Sequence, residues 1–134
     1  MTFVCRTPDS LISIGEEAFA GCTELGQIKL PFNLESIGDG AFRSCSKLEQ
    51  IELPHKLETI GMQAFEVTSI NSITIPASIK NMRSLGSLES MTFLGDCPEG
   101  VGYGTFSDVD TIYYSGNGFD HWMEITPTTT WIKQ

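Results

Sequence analysis

Residues Leu34–Lys56 read LESIGDGAFRSCSKLEQIELPHK, and the fold follows from what stands on either side of them. Moved back by 23 positions, the stretch falls on Leu11–Asn33, LISIGEEAFAGCTELGQIKLPFN. Moved forward, it falls on Leu57–Ser78, LETIGMQAFEVTSINSITIPAS, one residue shorter. Tandem copies of this length are the signature of a solenoid. One copy cannot bury its own apolar groups, but stacked copies bury them together.

Ile28-x-Leu30 and Ile51-x-Leu53 have the period-two spacing of a strand buried on one face, and Pro31 and Pro54 end the run. Strand pairs recur at Cys5/Thr7, Ile28/Leu30, Ile51/Leu53, Ile73/Ile75, Met91/Phe93 and Ile112/Tyr114, in steps of 23, 23, 22, 18 and 21 residues. The segments 15–19 and 38–42 read as single helical turns, with Gly as N-cap and acidic residues beside it. Each strand then pairs with its equivalent in the next coil, roughly 4.8 Å away. The crossover makes the sheet parallel and the coil right-handed.

The pattern L-x-x-I-G-x-x-A-F-x-x-C-x-x-L-x-x-I-x-L-P is complete at 11–31 and 34–54, and recurs at 57–76 with Val67 in the Cys place. This resembles the BspA-like leucine-rich repeat family of bacterial and protist surface proteins, over residues 1–115 with falling fidelity. The resemblance implies a secreted or surface-attached solenoid that binds other macromolecules, protein or glycan. The ligand itself does not follow from a fold.

The expected organisation is a single domain over 1–134. It has a partial repeat at 1–10, regular repeats at 11–33, 34–56 and 57–78, degenerate repeats at 79–115 and a C-terminal cap at 116–134. The chain opens near the end of a repeat, which points to a segment of a longer array or an uncapped N-terminus. Its free strand edge near Cys5 invites weak self-association. The opening MTFVCRTPDS has neither the charged nor the apolar region of a signal peptide. Trp122 and Trp131, in the tail, read as packing over the last core layer.

Formal net charge is −9, from 17 acidic and 8 basic residues, which argues against nucleic acid and against anionic lipid. No apolar run is long enough to insert in a membrane. His55 takes a place held by Phe32 and Ala77 in its sister repeats, and His121 beside Asp120 lacks a nucleophile motif. Asp108-x-Asp110 lacks the spacing of a Ca²⁺ loop. No catalytic residue, cofactor or metal site is expected.

Cys22 and Cys45 share one position in adjacent coils, so their Cα atoms should lie within disulfide reach, about 5 Å. Parallel stacking points both Cβ vectors the same way, and Val67 in the third coil suits a small buried apolar side chain. Free thiols are expected.

If Ile28 and Leu30 face inward, their neighbours face out. The outward columns are Gln27, Gln50, Ser72, Ser90, Thr111 and Lys29, Glu52, Thr74, Thr92, Tyr113. They form the candidate binding face. The reading is an α/β-type leucine-rich-repeat solenoid of about five coils: β-rich, right-handed, with one parallel sheet and short helical turns. It serves as a non-catalytic adhesion or recognition module, or else as a structural spacer within a larger surface protein.

Overall fold

The computed structural model describes residues 3–102 and 104–134. Met1 and Thr2 of the partial repeat, and Tyr103 of the 95–104 loop, lie outside them. The chain winds through about six turns of a parallel solenoid. The strands are β1 (Phe3–Arg6), β2 (Ser13–Ile14), β3 (Leu25–Lys29), β4 (Ser36–Ile37), β5 (Thr59–Ile60), β6 (Ser72–Ile75), β7 (Asn81–Met82), β8 (Leu88–Phe93), β9 (Gly100–Val101) and β10 (Val109–Tyr114). A short helix α1 (Asp120–Ile125) and a last strand β11 (Thr130–Lys133) close the C-terminal end.

Each regular coil has three sides. The first carries the expected parallel sheet, but in two pieces: β1–β3, and β6–β8–β10–β11. Leu48–Leu53, the rung between them, pairs with neither. The second side carries a sheet that the strand pattern alone does not announce. It is a ladder of two-residue strands, β2–β4–β5–β7–β9, parallel throughout. Ile14, Ile37, Ile60 and Met82 point inward from it, buried to 4 % exposure or less.

The third side is the segment expected to be a helical turn, and it is two overlapping turns instead. Ala18, Ala20 and Cys22 donate back within their own coil, to the carbonyls of Gly15, Glu17 and Phe19. The intervening Glu17, Phe19 and Gly21 donate forward, to Asp39, Ala41 and Arg43 of the next coil. Such alternation needs left-handed residues. They fall at Glu17, Gly40 and Gln63 (φ 53°, 60° and 57°) and at Gly21, Ser44 and Val67 (φ 75°, 63° and 56°). A helix cannot contain them, so the backbone satisfies its donors across coils rather than along one. On the second side the bonds run the other way: Glu35 and Gly38 donate back to Ile12 and Ile14 of the preceding coil.

This geometry corrects the reading of Val67. It belongs to the left-handed Gly21/Ser44 column and is 65 % exposed. Thr68 takes the Cys place, half-buried, with its hydroxyl bonded to the Phe65 carbonyl at 2.9 Å. The missing residue of the third repeat therefore falls after Thr68.

The core is a set of columns along the axis. Phe19, Phe42 and Phe65 stack face to face, with centroids 5.2 and 5.6 Å apart and rings tilted by only 2° and 9°. At the C-terminal end the stack gives way to a cluster. Phe106 meets Trp122 at 5.5 Å and Trp131 at 5.3 Å, both edge-on. The Trp131 indole N–H donates to the Thr126 hydroxyl at 3.2 Å. Both tryptophans are packing residues, as expected, and the tail that carries them forms a helix and a further rung.

Candidate binding surface

The outward columns lie on the first side, and the structure joins part of them. Ser72 pairs with Ser90, and Ser90 with Thr111; Thr74 pairs with Thr92, and Thr92 with Tyr113. Strand β11 extends both columns, with Thr130 beside Thr111 and Ile132 beside Tyr113. The sequence does not announce these two positions, because the tail carries no repeat pattern. Gln27 and Lys29 stand apart on β3, with Val4 and Arg6 of β1 beside them. Gln50 and Glu52 are exposed on the unpaired rung between the two sheets.

That rung opens a depression of about 810 Å³. Four candidate residues line it: Gln27, Lys29, Gln50 and Glu52. So do Ile28, Leu30, Ile51 and Leu53, which face the core elsewhere along the sheet. Its rim is Pro31, Phe32, Pro54, His55, Pro76 and Leu94, the residues that follow each strand. Phe32 and Leu94 are each 61 % exposed. Phe32 and His55 meet edge-on at 4.4 Å, and Lys56 lies 5.7 Å over the Phe32 ring while donating to Asn33 at 3.1 Å. The sequence hid this rim behind the repeat: a position read as merely variable is where side chains of adjacent coils touch.

Electrostatics across the coils is local. Arg43 pairs with Glu17, Lys47 with Glu24 at 2.7 Å and Lys80 with Glu58 at 2.8 Å, each bridging neighbouring coils at the surface. The hydrogen bond from Lys47 holds the Glu24 carboxyl below its usual range. Such exposed pairs weaken as salt rises. Among the described residues no three His, Cys, Asp or Glu side chains gather as a metal site, and no helix is long and apolar enough to cross a membrane.

All four cysteines are free. Cys45 is buried, its thiol donating to the Phe19 carbonyl at 3.1 Å, while Cys22, in the first coil, is exposed. Burial pushes the Cys45 and Cys97 thiols up to about 11 from an ordinary 9.0. Both hold their protons more tightly folded than unfolded. Their contribution to stability is therefore intact below about pH 9 and is lost as pH rises through about 11. With a thiol reagent at pH 8 the native protein should label Cys22 readily and Cys45 and Cys97 slowly. Unfolding without reductant should then expose four thiols. A count of two would mean a disulfide, and one between Cys22 and Cys45 would overturn the assignment.

The pattern of the BspA type leucine-rich repeat region matches residues 4–99 in six copies. The chain belongs to this family. The BspA-type repeats account for 96 of its 134 residues (positions 4 to 99), and the solenoid continues past them to β11. No curated protein is significantly similar to the chain. Solved structures are. A leucine-rich repeat protein from Bacteroides ovatus shares 25% identity at a TM-score of 0.64, over 97% of this chain and 42% of its own. The T. pallidum leucine-rich repeat protein shares 19% at 0.55, over 86% of this chain and 73% of its own. The pneumococcal vaccine antigen PcpA shares 19% at 0.65, over 98% of this chain and 41% of its own. The BspA-type chain thus spans less than half the length of the Bacteroides and pneumococcal proteins, and its relatives in family and fold are repeat proteins. The fold is that of leucine-rich-repeat proteins and is consistent with a binding or recognition module.

Proposed function

We propose that this BspA-type solenoid is a non-catalytic recognition module at the cell surface or in the secreted space, used for adhesion. Its ligand is a protein or glycan. The observation that carries the reading is the first side of the coil. Two aligned hydroxyl-rich columns run along β6, β8 and β10, beside a depression where the same columns meet an apolar rim. Tyr113 adds an aromatic contact of the kind interfaces use. The location that the family resemblance implies, and the vaccine-antigen neighbour, support this reading.

A triple change, Thr74→Asp, Thr92→Asp and Tyr113→Ala, should abolish binding to extracellular matrix or to host cells while leaving the folded far-UV spectrum intact. Unchanged binding would remove the columns as the site and favour the 95–104 loop or a spacer role.

The N-terminal edge should mediate weak self-association. Phe3, Val4 and Ile12 are 56 %, 64 % and 56 % exposed there, beside an unpaired edge of β1. Sedimentation should show concentration-dependent association, or hydrogen exchange should show fraying before Leu11. A strict monomer whose residues 3–10 are as protected as β8 would contradict this.

A further inference from the structure

Asparagine followed by glycine occurs once in the chain, at Asn117-Gly118. The pair lies in the bend between β10 and α1, and both residues are exposed. Gly118 has φ 85° and no side chain to screen its amide nitrogen. Among the described residues no backbone carbonyl accepts from its N–H. The Asn117 main chain is fixed: its N–H donates to Asp96 Oδ1 at 2.8 Å, and its carbonyl accepts from Cys97 N–H at 2.8 Å. Its side chain is held less firmly, with Nδ2 reaching Asp96 Oδ1 only at 3.4 Å. The carboxamide carbon therefore neighbours an unhindered amide nitrogen at the surface. The other asparagines are placed differently. Asn33 precedes Leu34, and its side-chain oxygen accepts from Lys56 at 3.1 Å. Asn71 precedes Ser72 of β6, which pairs with Ser90 of β8. Asn81 itself lies in β7, paired to β5 and β9.

We propose that Asn117-Gly118 is a self-modification site, where Asn117 converts to aspartate and isoaspartate and the conversion loosens the C-terminal cap. The Gly118 nitrogen gives up its proton and attacks Asn117 Cγ. A bond forms between them, the Cγ–Nδ2 bond breaks, and ammonia leaves with the proton. The product is a five-membered succinimide. Water then adds to one of its two carbonyls. Opening at Cγ restores the ordinary chain with aspartate; opening at the main-chain carbonyl leaves the chain running through Cγ, as isoaspartate. No oxidant or reductant enters.

Either product acts on the coil contact. A carboxylate replaces the amide that faced Asp96, and two carboxylates sharing a site repel. Isoaspartate also lengthens the main chain by one carbon, directly before Gly118 and Phe119. Phe119 is 1 % exposed and packs against Phe93 at 5.0 Å, Tyr114 at 5.2 Å and Trp131 at 5.9 Å. A longer lead into that ring disturbs the cluster that closes the solenoid.

The test follows the whole chain at pH 8 and about 37 °C, with digestion and mass mapping at intervals. The peptide carrying Asn117 should gain about 1 Da and split into aspartyl and isoaspartyl species. Peptides carrying Asn33, Asn71 and Asn81 should stay unmodified over the same time. Asn117→Gln keeps an amide but would have to close a six-membered ring, and it should block the conversion. The folded chain should convert at no less than about a tenth of its rate in urea, since the exposed bend reacts without unfolding. Slower conversion, or another asparagine converting first, overturns the proposal, because the fold would then protect the bend. The cap is read from Trp122 and Trp131, the only tryptophans in the chain. The modified form, separated by its added charge, should show tryptophan emission shifted to the red and a lower urea midpoint than the unmodified chain. Identical emission and midpoint would overturn the effect on the cap.

Discussion

Phe42→Ala should lower unfolding stability by about 3–5 kcal/mol, the cost of emptying a large side chain from a core that cannot collapse around it. Phe42 is 0 % exposed and lies between two parallel rings, Phe19 at 5.2 Å and Phe65 at 5.6 Å. The coils on either side are pinned by backbone bonds: Phe19 N–H to Ala41, and Phe42 N–H to Ala64. Relaxation is therefore limited, and the cavity stays. Phe19→Ala should cost less, because Phe19 is half-buried at the end of the stack. Urea midpoints at constant slope would measure both. A loss under about 1 kcal/mol for Phe42→Ala would place the ring at the surface and undo the column.

Gly61→Ala is expected to cost about 3 kcal/mol, the upper part of the range for overpacking. A Cβ at Gly61 would meet the Asp39 backbone nitrogen at 2.4 Å and the Gly38 carbonyl carbon at 2.6 Å. Gly38 faces the same obstacle one coil earlier, with Glu16 N at 2.6 Å. These contacts are backbone, so no side-chain rotation relieves them. The coils must part there, stretching the Gly61 N–H bond to Ile37, which measures 2.8 Å. Gly15→Ala is the control: a Cβ there meets nothing within 4 Å. Equal stability losses at Gly15 and Gly61 would show that glycine's backbone freedom, rather than coil spacing, sets the requirement.

What the sequence made legible is what repeats identically. Apolar spacing places Ile28, Leu30, Ile73 and Ile75 in the core, and the Phe19/Phe42/Phe65 column follows from one motif position. The second sheet was hidden because each of its strands is two residues long and contributes a single buried side chain, such as Ile37. A pattern needs at least two such residues to show alternation. The turns are hidden for a related reason. Glycine marks the left-handed sites at Gly21 and Gly40, but Glu17, Ser44, Gln63 and Val67 occupy the same conformation with no signal in their identity. Val67 reads as the Cys position of its coil because a one-residue deletion can be placed on either side of it.

The candidate site was legible by columns but not by contacts. Alternation alone put Gln27, Lys29, Gln50 and Glu52 outside, and they are exposed. Alternation could not show that the Gln50–Leu53 rung stays unpaired, since its residues match those of coils that do pair. Nor could it show the rim, where Phe32 and His55 touch only because the coils stack in register.

The opposed directions of the cross-coil hydrogen bonds bear on how such an array meets a charged partner. On the turn side, N–H groups point towards the next coil and carbonyls towards the previous one; beside β4 and β5, Glu35, Gly38, Glu58 and Gly61 donate the other way, to the preceding coil. An α-helix aligns all its peptide dipoles, and its ends carry partial charge. Here these two sets of bonds oppose one another, so their contributions to an axial moment offset rather than add as coils are stacked. The long-range field is set by the side chains, with a net charge of −9.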